Sequence, residues 1–130
     1  MDAKTQSRIL VIDNDDQERA ELADRLKMLG HSSAETWSGS EALRLLKSNR
    51  FDVLLVEDYL ADMYIGDFLE RVSALRDAPK VWLMRAVPAE DMRTFGSRSY
   101  PVVAKQHLEK LFSQADGGNS GPSDVNNWKH

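Results

Sequence analysis

Four short apolar runs punctuate the chain, and each ends in charged or amide side chains. Ile9-Leu10-Val11-Ile12 leads into Asp13-Asn14-Asp15-Asp16, and Val53-Leu54-Leu55-Val56 leads into Glu57-Asp58. Val81-Trp82-Leu83-Met84 stops at Arg85, and Pro101-Val102-Val103-Ala104 stops at Lys105. Continuous apolar runs of this length predict strands buried on both faces. A weaker stretch from His31 to Trp37 reads as one more strand, with Trp37 and Trp82 expected in the core.

Between these runs the apolar positions take up the helical period. Gln17 to Leu29 carries Leu22, Leu26 and Leu29 on one stripe and stops at Gly30; Asp16 is assigned to its cap. Ser38-Gly39-Ser40 is a turn with a cap, and Glu41 to Asn49 turns Ala42, Leu43 and Leu46 inward. Asp67 to Leu75 presents Phe68, Leu69, Val72 and Leu75. Glu90 to Phe95 has room for only one or two helical turns, and Leu108 to Phe112 begins a last short helix. From Ala115 the chain turns to Gly, Ser, Asn and Asp, which sets a domain over 1–114 and a flexible tail or linker start over 115–130. Strands alternating with helices predict an α/β sheet with parallel strands and right-handed crossovers.

Composition narrows the chemistry. A chain of 130 residues fits one domain with its own core. It has no cysteine, so disulfides, thiolate metal sites and cysteine nucleophiles are excluded, which fits a reducing cytoplasm. A net charge of −4 argues against nucleic acid as a partner. No apolar run approaches membrane-spanning length, and the N-terminus lacks the flanks of a signal peptide. Nucleophile-elbow, Walker and dinucleotide fingerprints are missing, and no phosphate-cradling Ser/Thr/Gly loop follows the first strand. His31, His107 and His130 lack metal spacing and read as surface residues.

In such sheets the working groups collect beyond the carboxyl ends of the strands. Here that edge gathers Asp13, Asn14, Asp15, Glu57, Asp58, Arg85 and Lys105. Carboxylates crowded together repel unless a cation stands between them, and oxygen ligands suit a hard ion such as Mg²⁺. Helix capping explains Asp16 but not a lysine closing another strand.

Five motifs in order resemble the receiver domains of bacterial response regulators. ILVIDNDD is similar to their first strand and acidic pair, and Gly39-Ser40-Glu41-Ala42-Leu43 to their second helix start. FDVLLVE is similar to their third strand, Leu60-Ala61-Asp62 before Gly66 to their post-acceptor loop, and VVAKQ to their fifth-strand lysine. The resemblance covers about residues 7 to 112. It implies a flavodoxin-like, doubly wound, five-stranded parallel sheet in a single domain, with a shortened fourth crossover. It also implies a phosphorelay in a two-component system, with a histidine kinase or a downstream effector as partner and dimerisation left open.

The resemblance carries over unevenly. It implies that Asp13 keeps the first acid and Lys105 the phosphate-pairing lysine. The second acid, usually the direct metal ligand, is Asn14, so Mg²⁺ held by Asp13, Asn14 and Asp58 is expected to be weakened; Asp15 is a compensating candidate. Arg85 replaces the switch hydroxyl, Val102 the aromatic switch with Tyr100 two residues before it, and Gln106 the usual proline. Two registers compete for the phosphoacceptor position. Counting from Asp52 gives Glu57, and counting back from Gly66 gives Asp58. A slip in a buried strand turns its side chains over whereas a loop absorbs insertions, which favours Glu57, paired with Lys105 and also with Arg85. The expected module is a pseudo-receiver that acts through protein–protein interaction rather than as an enzyme. The alternative is a working receiver that phosphorylates itself on Asp58.

Overall fold

The computed structural model describes residues 6–87 and 90–112, so the 115–130 tail lies outside the described residues. The elements run β1 (Arg8–Ile12), α1 (Asp16–Met28), β2 (Ser32–Thr36), α2 (Gly39–Ser48), β3 (Val53–Glu57), α3 (Ile65–Ser73), β4 (Lys80–Arg85), β5 (Met92–Phe95) and β6 (Arg98–Ala104). A 3₁₀ turn, Lys105–His107, follows. No helix among the described residues is long and apolar enough to cross a membrane.

Each apolar run serves two cores because side chains alternate across a strand. Leu10, Ile12, Leu54 and Val56 face α2 and α3, where they meet Ala42, Leu43, Phe68, Leu69 and Val72. Ile9, Val11, Leu55 and Met84 face the other way, onto Leu22 and Leu26 of α1 and onto Leu108 and Leu111. The sheet is thereby covered on both sides, the doubly wound arrangement expected. Leu29 follows α1 rather than belonging to it and is half exposed.

The sheet has six strands in the order β2-β1-β3-β4-β6-β5, not five. Five are parallel neighbours, and the added β5 pairs antiparallel with β6. Among its described residues the shortened fourth crossover holds no helix where Glu90 to Phe95 was expected to coil. The segment instead folds back as a hairpin, with Thr94 opposite Ser99 and Phe95 opposite Arg98. Gly96 takes a φ of 62° at the turn, the left-handed value that a two-residue hairpin accepts most readily from glycine.

Candidate functional site

The carboxyl ends of β1, β3 and β6 bring the predicted acids and the lysine together. Asp13 is fully buried, and its Oδ1 accepts the Asp15 N–H at 2.8 Å. The cap of α1 is Asp15, not Asp16: its Oδ1 accepts the Glu18 N–H at 2.9 Å. Asp16 points into solvent and pairs with Arg19 at 2.7 Å. Asp15 is thus spent on the helix end, away from the role of compensating acid.

The two carboxylates closing β3 go to different places. Glu57 faces the pocket: Oε1 accepts both the backbone N–H and the side-chain Nδ2 of Asn14, each at 2.8 Å. Its Oε2 lies 2.6 Å from Lys105 Nζ. Asp58 turns toward the hairpin, where its Oδ2 meets Arg85 Nε at 3.1 Å and Arg93 Nη1 at 2.9 Å. Arg85 therefore pairs with Asp58, against the expectation that it would join Glu57.

Asn14 works as a clamp. Its Nδ2 also donates to the Tyr59 carbonyl at 2.7 Å, while its Oδ1 accepts the Ala61 N–H at 3.1 Å. Donors and acceptors match only in this amide orientation. The oxygen that would have to reach a metal is turned to the backbone of the next loop.

Lys105 Nζ stands among three carboxylates: Glu18 Oε1 at 2.5 Å, Glu57 Oε2 at 2.6 Å and Asp13 Oδ2 at 3.0 Å. Oxygens of the three acids lie within 4.8 Å of one another, so the ammonium sits where a shared cation would stand. Asp13 Oδ2 is close enough for an ion pair but lacks hydrogen-bond geometry, and so is a buried oxygen without a donor. Burial raises the Asp13 carboxyl, and repulsion from Glu57 adds to it; the Asp15 N–H and Lys105 oppose the rise without cancelling it. Burial also pushes Glu57 up, but the Asn14 N–H and the Lys105 ammonium outweigh it and hold Glu57 below the usual carboxylate range. Burial would lower the Lys105 ammonium, yet its three acidic partners keep it well above its ordinary value. The two carboxyls are thus driven in opposite directions, Asp13 up and Glu57 down.

The loop after β3 is fastened from its far side as well. Asp62 accepts from Ser38 Oγ at 3.0 Å, Gly39 N at 2.9 Å and Ser40 N at 3.1 Å, at the start of α2. Burial raises this carboxyl, but those N–H donors overcome it and hold Asp62 below the ordinary range. Leu60 is buried beneath the loop.

Sequence reasoning missed Glu18, Arg93 and the anchoring role of Asp62. Glu18 carried a signal, since Asp15-x-x-Glu18 has the spacing of a capping box. Its carboxylate reaches Lys105 in place of the cap. Val102 is buried, and Tyr100 packs on the same core cluster. Two expectations outside the pocket fail. His31 is buried, accepts the Ser7 N–H on Nδ1 at 2.9 Å and stacks on Phe112; burial lowers its pKa. Trp82 is core as expected, but Trp37 lies 48% exposed just beyond the last residue of β2. His107 is exposed, and His130 lies outside the described residues.

No protein-family model and no curated protein matches the sequence. Solved structures do match the fold. A CheY-like receiver domain from Methylobacillus flagellatus superposes with a TM-score of 0.72 at 15% identity, covering 85% of this chain and 99% of that one. The receiver domain of the sensor histidine kinase PA1611 from Pseudomonas aeruginosa, with magnesium coordinated in its active-site cleft, gives 0.70 at 16% identity over 88% and 99%. The response regulator TrrA of Thermotoga maritima, in complex with the histidine kinase ThkA, gives 0.67 at 21% identity over 82% and 96%. The chain has the fold of the CheY-like response-regulator receiver domains.

Proposed function

We propose that the chain is a receiver-like signalling module that works through protein–protein interaction without a phosphorylation cycle. The observation that carries this reading is the carboxylate turned into the pocket from β3. It is Glu57, and both of its oxygens are engaged, Oε1 by Asn14 and Oε2 by Lys105. Phosphoryl transfer needs an attacking oxygen free to approach in line and a cation to take up the developing charge. Here both oxygens at the attacking position are already engaged, and the loss of one acid at Asn14 weakens the hold on Mg²⁺. The switch position supports the same reading, because Arg85 spends its charge on Asp58 rather than on the pocket.

Asn14 and Asp62 hold the β3–α3 loop against β1 and α2, so its conformation is set by the chain's own amides and carboxylates. Such a surface suits a partner that reads one fixed shape. The partner is a signalling protein, either a histidine kinase like the one bound by TrrA or a downstream effector, and the setting is the cytoplasm.

Incubating the protein with acetyl phosphate and Mg²⁺ and weighing it intact tests the proposal. The expected result is the unmodified mass. A single phosphate adduct that disappears in Asp58→Ala or Glu57→Gln would overturn it.

A further inference from the structure

We propose that the chain pairs with a second copy of itself along the free edge of β2, antiparallel, so that the two sheets run on into one. The inference concerns the side of the sheet and is independent of the pocket at the strand ends.

β2 closes one side of the sheet and pairs with β1. Along a strand, the N–H and C=O of one residue point to one side and those of the next to the other. The Ser32 N–H donates to Ser7 O at 3.2 Å, and the Thr36 carbonyl accepts from Asp13 N at 3.1 Å, so Ser32, Ala34 and Thr36 serve β1. Ser33 and Glu35 therefore turn their backbone groups outward, to a side where no strand lies among the described residues. The edge lacks the usual protection. It reads Ser-Ser-Ala-Glu-Thr, without proline or lysine, and its one charge, Glu35, is met by Arg19 of its own chain at 3.7 Å.

Both ends of this strand carry exposed apolar side chains. Met28 and Leu29, shortly before it, are 85% and 45% exposed, and Trp37, directly after it, is 48% exposed. Taken singly, each is ordinary surface. An antiparallel two-fold brings the opposite ends together. With the axis at Ala34, Ser33 of one copy faces Glu35 of the other, and Ser32 faces Thr36. In this register the outward-turned residues exchange N–H···O=C bonds in both directions. It also sets each Glu35 carboxylate opposite a serine hydroxyl, whereas an axis at Glu35 would oppose the two acids directly. One residue further, Trp37 of the second copy comes opposite His31, beside Met28 and Leu29. The faces agree as well. Glu35 meets Arg19 of α1, so Ser33, Glu35 and, by alternation, Trp37 stand on the face of the sheet that α1 covers, where Met28 and Leu29 close that helix. Each indole then covers the other copy's exposed Met-Leu pair, a self-complementary contact made twice.

Analytical ultracentrifugation of the full chain from about 1 μM to about 1 mM tests this. The expected result is a reversible monomer–dimer equilibrium, weakened at least about tenfold by Trp37→Ser and by Ser33→Pro. Ser33→Pro removes an outward N–H and none of the bonds to β1. The register has its own readout, because the chain has no cysteine. Ala34→Cys would set two thiols directly across the axis, in a pair whose Cα atoms lie about 4.5 Å apart, within disulfide reach. It should oxidise to a covalent dimer, and Ser32→Cys, which faces Thr36 rather than itself, should not. A chain that stays monomeric over the whole range overturns the proposal. So does a dimer that Trp37→Ser and Ser33→Pro leave unchanged, or that Ser32→Cys cross-links as readily as Ala34→Cys. If Ser33→Pro or Ala34→Cys fails to fold, Trp37→Ser, which alters an exposed side chain, decides alone. None of these outcomes bears on the pocket reading, which fails on a phosphate adduct.

Discussion

Asn14 donates twice to the same oxygen of Glu57, once from the backbone and once from the side chain, at 2.8 Å each. A side chain with a donor is needed for the second bond. A carboxylate at position 14 would meet Glu57 as a like charge and would leave the Tyr59 carbonyl without its donor.

Asn14→Asp is therefore expected to cost about 1–3 kcal/mol of stability at neutral pH. The loss should shrink in acid, as the facing carboxyls protonate. Adding Glu57→Gln reverses donor and acceptor across the pair and should recover part of the loss. Denaturant unfolding of the two single variants and the double variant checks this: a non-additive cycle is predicted, and simple additivity would show that the two side chains do not communicate.

Asp58 anchors the hairpin rather than the pocket. Its side chain is 15% exposed and receives both Arg85 and Arg93. Asp58→Ala should cost about 1 kcal/mol, a modest figure because both arginines reach solvent. Hydrogen exchange should quicken at the amides of β5 and of residues 98–100 while Asn14 and Ala61 keep their protection. Loosening at Asn14 instead would place Asp58 in the pocket.

At Gly39 the β3–α3 loop packs tightly on the start of α2. A Cβ there would lie 2.9 Å from Met63 Sδ and 3.1 Å from Leu60 Cδ1. Met63 can move but Leu60 is buried, so Gly39→Ala should destabilise by about 1–2 kcal/mol despite alanine's better helix propensity. Urea unfolding of Gly39→Ala, alone and with Leu60→Ala, measures how much of that cost is the clash.

Asp62 gives the pH dependence. Its folded pKa is depressed, so its contribution is fully present above the unfolded aspartate value and fades as pH falls through the lower folded one. Asp62→Asn should accordingly be less stable than the wild type near neutrality, by about 0.5–1 kcal/mol for an exposed carboxylate accepting from a helix start. The two should converge in acid. A gap that stays undiminished as the pH falls through and well below the ordinary aspartate range would mean that the carboxylate charge is not what holds the loop.

The sheet was legible because Ile9–Ile12 and Val53–Val56 are apolar on both faces, a pattern that only a doubly covered strand needs. The strand-end chemistry was legible for the same reason, since Asp13, Glu57 and Lys105 each follow such a run. The hairpin was not: Met92-Arg93-Thr94-Phe95 is short, sits at the edge and half faces solvent, so neither period is expressed. Its one signal was Gly96-Ser97 between strand-like residues, a two-residue turn pattern. Glu18 and Asp62 were hidden for a different reason. Each looks like an ordinary helix-start or loop acid until the tertiary fold brings its partner within reach. Trp37 shows the limit of reading aromatics as core, because it falls one residue past the strand whose face would have buried it.

The central claim, a pocket fixed without phosphate, is tested most directly by adding Mg²⁺ and beryllofluoride, a phosphoryl mimic, to the wild-type chain and recording amide NMR shifts. The expected spectra do not change in a saturable way. Saturable changes clustered at residues 57–66 and 85–105 would contradict it.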